Sequence, residues 1–270
     1  MEKETRNLVI MAVAVLAVFG AAYACIAVYA GTSSPFYTVE SGSMMHSNNS
    51  KVGIIDTGDM VIVKNPDNAE IVTYVEGSKT GYARFGDYGD VILYSRAGQT
   101  AVIHRAILYV GHNSNGTWDI SSLAGYGGEW YINGTDGGTL SADDLKEVNG
   151  VLSFRNFGYR ALPEITVNLD GLTPKVSGYI TMGDNNRDPD QSNGISGAAV
   201  SPDRITGVAG KEVPWLGCIK LLFTGTNTDN IPGNSLMLLA ASFILIIASV
   251  LAVGLFFEKR AEKKKKEDGE

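Results

Sequence analysis

A serine hydroxyl attacks a carbonyl only when a nearby base takes its proton in the transition state, so the first residues to weigh are hydroxyls with a histidine in reach. The stretch Glu40-Ser41-Gly42-Ser43-Met44-Met45 sets two hydroxyls around a glycine soon after a long apolar run. Three histidines are available: His46, His104 and His112. His46 shares the turn with Ser43 and can reach it, but a loop neighbour is badly placed to be held in one tautomer. His112 sits in the polar turn His112-Asn113-Ser114, where exposure is expected. His104 instead interrupts Ala101-Val102-Ile103-His104-Arg105-Ala106-Ile107-Leu108-Tyr109-Val110, a nearly all-apolar segment that reads as a strand buried on both faces. A buried imidazole needs a partner for each nitrogen. Ser43 on one side and a carboxylate on the other would satisfy both, and the carboxylate is expected from Gly183-Asp184-Asn185-Asn186-Arg187-Asp188-Pro189-Asp190.

Each of these pieces has a plainer reading. Ser-Gly-Ser is ordinary turn material, and an Asx-rich turn forms structural hydrogen bonds without chemistry. Asp184, Asn186 and Asp188 also fit the first three positions of a calcium loop. Pro189 then occupies the glycine position and Ile195 the place of the bidentate glutamate, so no metal is assigned.

The elements that must position these side chains are mostly strands. Phe36-Tyr37-Thr38-Val39 precedes the serine turn, under which Met44 and Met45 either pack or meet the membrane surface. Gly58-Asp59-Met60-Val61-Ile62-Val63-Lys64 alternates behind a turn, and a polar connector with Glu76-Gly77-Ser78 leads to the strand Asp90-Val91-Ile92-Leu93-Tyr94. Period-two geometry places His104 on one face with Val102, Ala106 and Leu108 and sends Arg105 to the other. Residues 111–175 loosen into Gly- and Asn-rich hairpins, read as an inserted accessory subdomain. Its one helix candidate begins at Ser141-Ala142-Asp143-Asp144, which has capping-box spacing with Asp in place of Glu. Strands follow at 176–182, 205–208 and 213–220, and 224–234 is a linker.

Apolar runs at 8–30 and 236–257 bracket the chain, each roughly 22 residues, enough at about 1.5 Å per residue to cross a hydrocarbon core of about 30 Å. Val28-Tyr29-Ala30 before Gly31 offers a cleavage site, but the apolar run far exceeds a signal-peptide core, which favours an uncleaved anchor. Lys3 and Arg6 before the first run, and Lys259, Arg260 and Lys263 to Lys266 after the second, mark both ends as cytoplasmic. The expected organisation is a cytoplasmic N terminus (1–7), a membrane helix (8–30), an extracytoplasmic domain (31–234), a second membrane helix (235–257) and a basic cytoplasmic tail (258–270). Residues 258–270 carry six basic and five acidic groups and residues 1–7 two of each, leaving 14 basic and 22 acidic residues between them, a net charge of −8. That surface lacks the basic footprint of a nucleic-acid binder. With only Cys25 and Cys218, the outer domain has neither a disulfide framework nor a thiolate metal site. Asn48, Asn115 and Asn133 each open an Asn-X-Ser/Thr triplet that would suit an exported surface.

Taken in order, these segments resemble the type I signal peptidases, specifically their archaeal and endoplasmic-reticulum branch. Ser41-Gly42-Ser43-Met44 looks like the nucleophile box, His104-Arg105 stands where the bacterial branch has a lysine base followed by arginine, and Gly183-Asp184-Asn185-Asn186 looks like the acidic box. The resemblance covers both anchors and the segments flanking them but not most of 111–175, and His46 departs from the proline usual at its position. It implies Ser43 as nucleophile, His104 as base, Asp190 as its orienting carboxylate and Asp184 as a supporting acid. Ser41 would join the Ser43 backbone amide in the oxyanion hole. Placement at the end of a strand favours Asp184 as the rigid partner of His104. The resemblance favours Asp190 and is followed, with Asp184 bracing its own turn. The implied fold is a mainly β, antiparallel coiled-sheet catalytic domain between two transmembrane helices. No cofactor is called for. The implied partners are the lipid bilayer, export machinery and preprotein signal peptides, bound as an added strand and cut after small residues. The competing expectations are a membrane-anchored surface-binding module without catalysis and a serine protease acting on other membrane substrates.

Overall fold

The computed structural model describes residues 3–267; of the two tails, residues 1–2 and 268–270 lie outside the described residues. After α1 (Lys3–Ala30) come β1 (Phe36–Thr38), β2 (Met60–Lys64), α2 (Tyr74–Thr80), the short strands β3 (Ala83–Arg84) and β4 (Asp87–Tyr88), β5 (Val91–Arg96) and the long β6 (Gln99–His112). The chain continues through β7 (Trp118–Asp119), β8 (Glu129–Ile132), β9 (Thr135–Asp136), β10 (Val151–Phe157) and β11 (Leu162–Asn168). β12 (Gly178–Met182), β13 (Ile205–Val213), α3 (Cys218–Thr224) and α4 (Ser235–Glu267) complete it. The main sheet runs β1-β2-β13-β5-β6-β12 with β7 beside the end of β6, and a second sheet runs β11-β10-β8-β9. Every pairing between these strands is antiparallel, as expected for a mainly β chain.

α1 and α4 contain the stretches Ala12–Ala30 and Ser235–Phe256, both long and apolar enough to span a membrane, and neither is buried within the protein. Apolar side chains exposed along that length find no core here, as a bilayer-facing helix requires.

The accessory region does not stand apart. Ile107, Leu108, Ile180 and Met182 of the main sheet share one apolar cluster with Trp118, Trp130, Leu152, Phe154 and Ile165. The second sheet is therefore welded to the strand pair that carries His104.

Three local expectations are corrected. The connector before β5 contains α2, whose N terminus is a complete capping box: Thr73 Oγ1 accepts the Glu76 N–H at 3.3 Å, and Glu76 Oε2 accepts the Thr73 N–H at 2.9 Å. Ser141 and Asp144 form the same reciprocal bonds but no helix follows. Leu145 and Val148 give their backbone groups to Ile120 and Trp118, and this pairing overrides the local signal. Residues 213–220 are not a strand. β13 ends at Val213, Asp59 accepts the Trp215 N–H at 2.8 Å, Trp215 turns the chain at a φ of 63°, and α3 buries Cys218 and Leu221 at helical spacing.

Removing the buried Thr73 cap should lower the stability of the detergent-solubilised protein by about 1 kcal/mol. Denaturant unfolding of Thr73→Ala checks this, and an unchanged midpoint would show that α2 is held by its packing alone.

Candidate active site

Val39 and the Gly58-Asp59 pair bond across the neck of the loop that carries Ser43: Val39 N–H donates to Asp59 O at 2.9 Å and Gly58 N–H to Val39 O at 3.0 Å. Met44 fixes the loop from beneath. It is 1% exposed and packs with Val39, Ile55, Val61 and Ile103. Packing under the turn is thus the role Met44 takes. With Met44 pinned, Ser43 turns towards β6.

His104 Nε2 lies 2.9 Å from Ser43 Oγ, and His104 Nδ1 lies 2.8 Å from both oxygens of Asp190. Asp190 is fully buried and accepts two further bonds, from the hydroxyls of Tyr94 and Thr181, each at 2.7 Å. Burial first, and then the Asp190 charge, push the Tyr94 hydroxyl well above its usual range, so it stays protonated and donates. A carboxylate that only accepts places the imidazole proton on Nδ1 and leaves Nε2 as acceptor for the Ser43 hydroxyl. Ser41 Oγ stands 3.2 Å from Ser43 Oγ. Among the described residues no group accepts the Ser43 backbone N–H.

Asp184 is placed elsewhere. Arg105 Nε and Nη2 grip its carboxylate at 2.8 and 2.6 Å, and His46 Nε2 meets Oδ2 at 2.9 Å. Burial alone would raise the Asp184 pKa, but the Arg105 charge and hydrogen bonds, with His46, hold it below the ordinary carboxylate value. Arg105 Nη1 meets the carbonyls of Arg84, Tyr88 and Gly89 at 3.0 Å. The strand-end placement that favoured Asp184 as partner of His104 therefore does not lead there. Nor is Asp184 an open ligand of a calcium loop. His46, expected as a loosely held neighbour of Ser43, is instead tied to Asp184. His112 is half-buried against Trp118 and not an exposed turn residue.

The acidic loop also grips the Ser43 turn through its backbone. Asn185 N–H donates to Ser43 O at 2.7 Å, and its side chain donates to Gly42 O at 3.0 Å. Gly183 is needed for this approach: a Cβ there would stand 2.7 Å from Ser43 O and 2.8 Å from His104 Nε2. Tyr94, Thr181 and Asn185 were not singled out by sequence. A tyrosine in a buried strand needs a partner for its hydroxyl, and that was the one available signal for Tyr94.

Ser43 and His104 line a groove of about 350 Å³ whose walls include Tyr37, Arg96, Val102 and Ile195. A slightly larger cavity, about 390 Å³, lies by Glu76, Tyr109 and Tyr179 and contains none of these groups. Chemistry rather than volume identifies the site. β6 pairs with β5 from Gln99 to Arg105 but meets β12 only from Arg105 onward, so the groove runs beside a strand edge that no described strand covers.

Beneath the loop, Glu212 accepts the Gly53 N–H, and Asp59 accepts the Asp56 N–H at 2.8 Å. Burial pushes both Asp59 and Glu212 up to about 7. A carboxyl raised in the folded state contributes stability that is full below its unfolded value of about 4.3 and is lost as pH rises through the folded value. Glu212→Gln should therefore raise the thermal midpoint at pH 8 and leave it unchanged at pH 4. An equal shift at both pH values would remove titration as the cause.

Compared with protein-family models and with curated proteins, the chain matches none, so a functional reading rests on the geometry of these side chains.

Proposed function

We propose that this protein is a membrane-bound serine endopeptidase that removes N-terminal signal peptides from exported preproteins. The observation that carries the reading is the continuous chain Ser43 Oγ, His104 Nε2, His104 Nδ1, Asp190, with neighbouring contacts of 2.9 and 2.8 Å. In the first step Ser43 Oγ bonds to the scissile carbonyl carbon while His104 Nε2 takes its proton. The Ser43 N–H and the Ser41 hydroxyl stabilise the oxyanion. The C–N bond then breaks, His104 gives its proton to the leaving amine, and an ester to Ser43 remains. Water attacks the ester carbon, losing its proton to His104; the bond from that carbon to Ser43 Oγ then breaks, the cleaved segment leaves with a new C-terminal carboxyl group, and the proton returned by His104 regenerates the Ser43 hydroxyl.

Two features support a preprotein as substrate. The open edge of β6 beside Ser43 offers backbone groups to an extended peptide. One apolar helix is also seated at the Ser43 loop, where the Asn234 side chain, just before α4, bonds Ser50 N–H and O at 2.8 and 3.1 Å, and the other is tied to the far end of β2, where Ala30 O accepts the Asn65 N–H at 2.7 Å. With α1 and α4 in the bilayer and the basic ends cytoplasmic, Ser43 faces the outer membrane surface, where a signal peptide presents its cleavage region. Preference for small residues before the cut comes from the resemblance of the Ser43, His104 and Asp190 segments to signal peptidases.

The test is cleavage of a preprotein by the detergent-solubilised protein. Ser43→Ala should abolish turnover and keep the fold, since the hydroxyl is half-exposed and its loss removes the covalent route. Asp190→Asn should cost roughly ten-thousandfold in rate through loss of tautomer control. Asp184→Asn should mainly lower the thermal midpoint, because it leaves Arg105 buried with a weaker partner. A Ser43→Ala protein that still cleaves would refute the reading, and intact preproteins with another membrane substrate cut would move it to a different protease specificity.

A further inference from the structure

His46 and the tip of the β10–β11 hairpin form a second assembly on the far side of the nucleophile turn. The rings of His46 and Tyr159 are stacked, with centroids 3.6 Å apart and planes 6° from parallel. Tyr159 also donates its hydroxyl to Met45 O at 3.2 Å, and its own N–H is held by Asp87 at 2.8 Å. Arg160 donates to Asn185 O at 2.7 Å, and Asn185 in turn holds the Gly42 and Ser43 carbonyls. His46 completes the circuit through its 2.9 Å contact with Asp184, whose other partner is the buried Arg105. Apart from the Asp87 bond, which anchors Tyr159 itself, these links end on residues 42–46 or on the loop that grips them, and His46, Tyr159, Arg160 and Asp184 do not line the groove where a substrate would lie.

We infer that His46 is a positioning residue: with one face on Tyr159 and Nε2 on Asp184, it fixes the turn that aims Ser43 at His104. The inference rests on Ser43 being the nucleophile. It also gives the accessory sheet a task, because the hairpin tip is what stacks on His46. The physical reason is the shape of the turn. Ser43 is followed at once by the buried Met44, which fixes depth but leaves rotation of the turn about that anchor unopposed. Asn185 holds the near side through backbone carbonyls, and the His46 side chain holds the far side. A displacement of about 1 Å at a nucleophile costs up to about a hundredfold in rate, so a clamp here acts on turnover rather than on substrate affinity.

The two contacts of His46 can be separated. His46→Phe keeps a ring on Tyr159 and has no donor for Asp184, whereas His46→Gln keeps a donor and has no ring. In the detergent-solubilised full chain acting on a preprotein, His46→Phe should lose about tenfold to a hundredfold in kcat with KM within about twofold. His46→Gln should recover most of that loss, and Tyr159→Ala should lower kcat without changing KM. Amide hydrogen exchange of residues 41–46, read without any substrate, should quicken in His46→Phe and Tyr159→Ala. A variant that does not fold is replaced by Tyr159→Ala, which weakens the same clamp from the partner's side. Wild-type kcat together with unchanged exchange in His46→Phe overturns the clamp. Faster exchange in a protein whose cleavage is indifferent to Ser43→Ala leaves the clamp standing and refutes the peptidase reading instead.

Discussion

His104 and Arg105 are consecutive on β6, so the pleat of the strand sends them to opposite faces, and both are nearly excluded from solvent. Each requires a carboxylate, and both carboxylates come from the single loop that follows β12. Asp190 reaches the His104 face and Asp184 the Arg105 face. β12 pairs with β6 through Met182 and Arg105, which brings the start of that loop alongside the two residues it must serve. An arginine buried without Asp184 would leave a charge in a poorly solvating interior, a cost of several kcal/mol. The pairing of β6 with β12 is thus the condition on which the rest of the site depends.

The same loop reaches a third target. By bonding the Gly42 and Ser43 carbonyls, Asn185 joins the Ser43 turn to the strand pair that carries His104. Ser43, His104 and Asp190 come from three separated stretches of chain, yet one loop touches all three. Its opening residue, Gly183, leaves no side chain in the gap between Ser43 O and His104 Nε2. The apolar cluster shared by the two sheets then fixes the hairpin carrying Tyr159 against the same loop. Rigidity at the site is in this way drawn from the whole domain, including the region that first reads as an addition to it.

Much of this was legible from residue order. β6 was visible as an apolar run, the alternation of His104 and Arg105 followed from strand geometry, and the apolar ends stood out by length alone. The choice between Asp184 and Asp190 was not legible on geometric grounds: a position at the end of a strand does not say which face the side chain will meet, and a bulge at Ile180 and Thr181 shifts the register just before the loop. His46 was visible as a residue but not as a contact, because its partners Asp184 and Tyr159 are 138 and 113 positions away in sequence. Local signals misled where long-range pairing was stronger, as at Ser141, or where two structures share the same cue, as at α3.

By itself the amino-acid sequence determined the mainly β character, the two apolar terminal helices and the short set of hydroxyl, imidazole and carboxylate groups from which a site could be assembled. These depend on local periodicity and on side-chain chemistry, which are present in the chain before it folds. Only the tertiary structure decided which carboxylate meets His104, what Arg105 does with its charge and how His46 is held. Those outcomes depend on strand register and on loop closure between distant segments. One residue of register reverses the face on which every side chain of a strand appears.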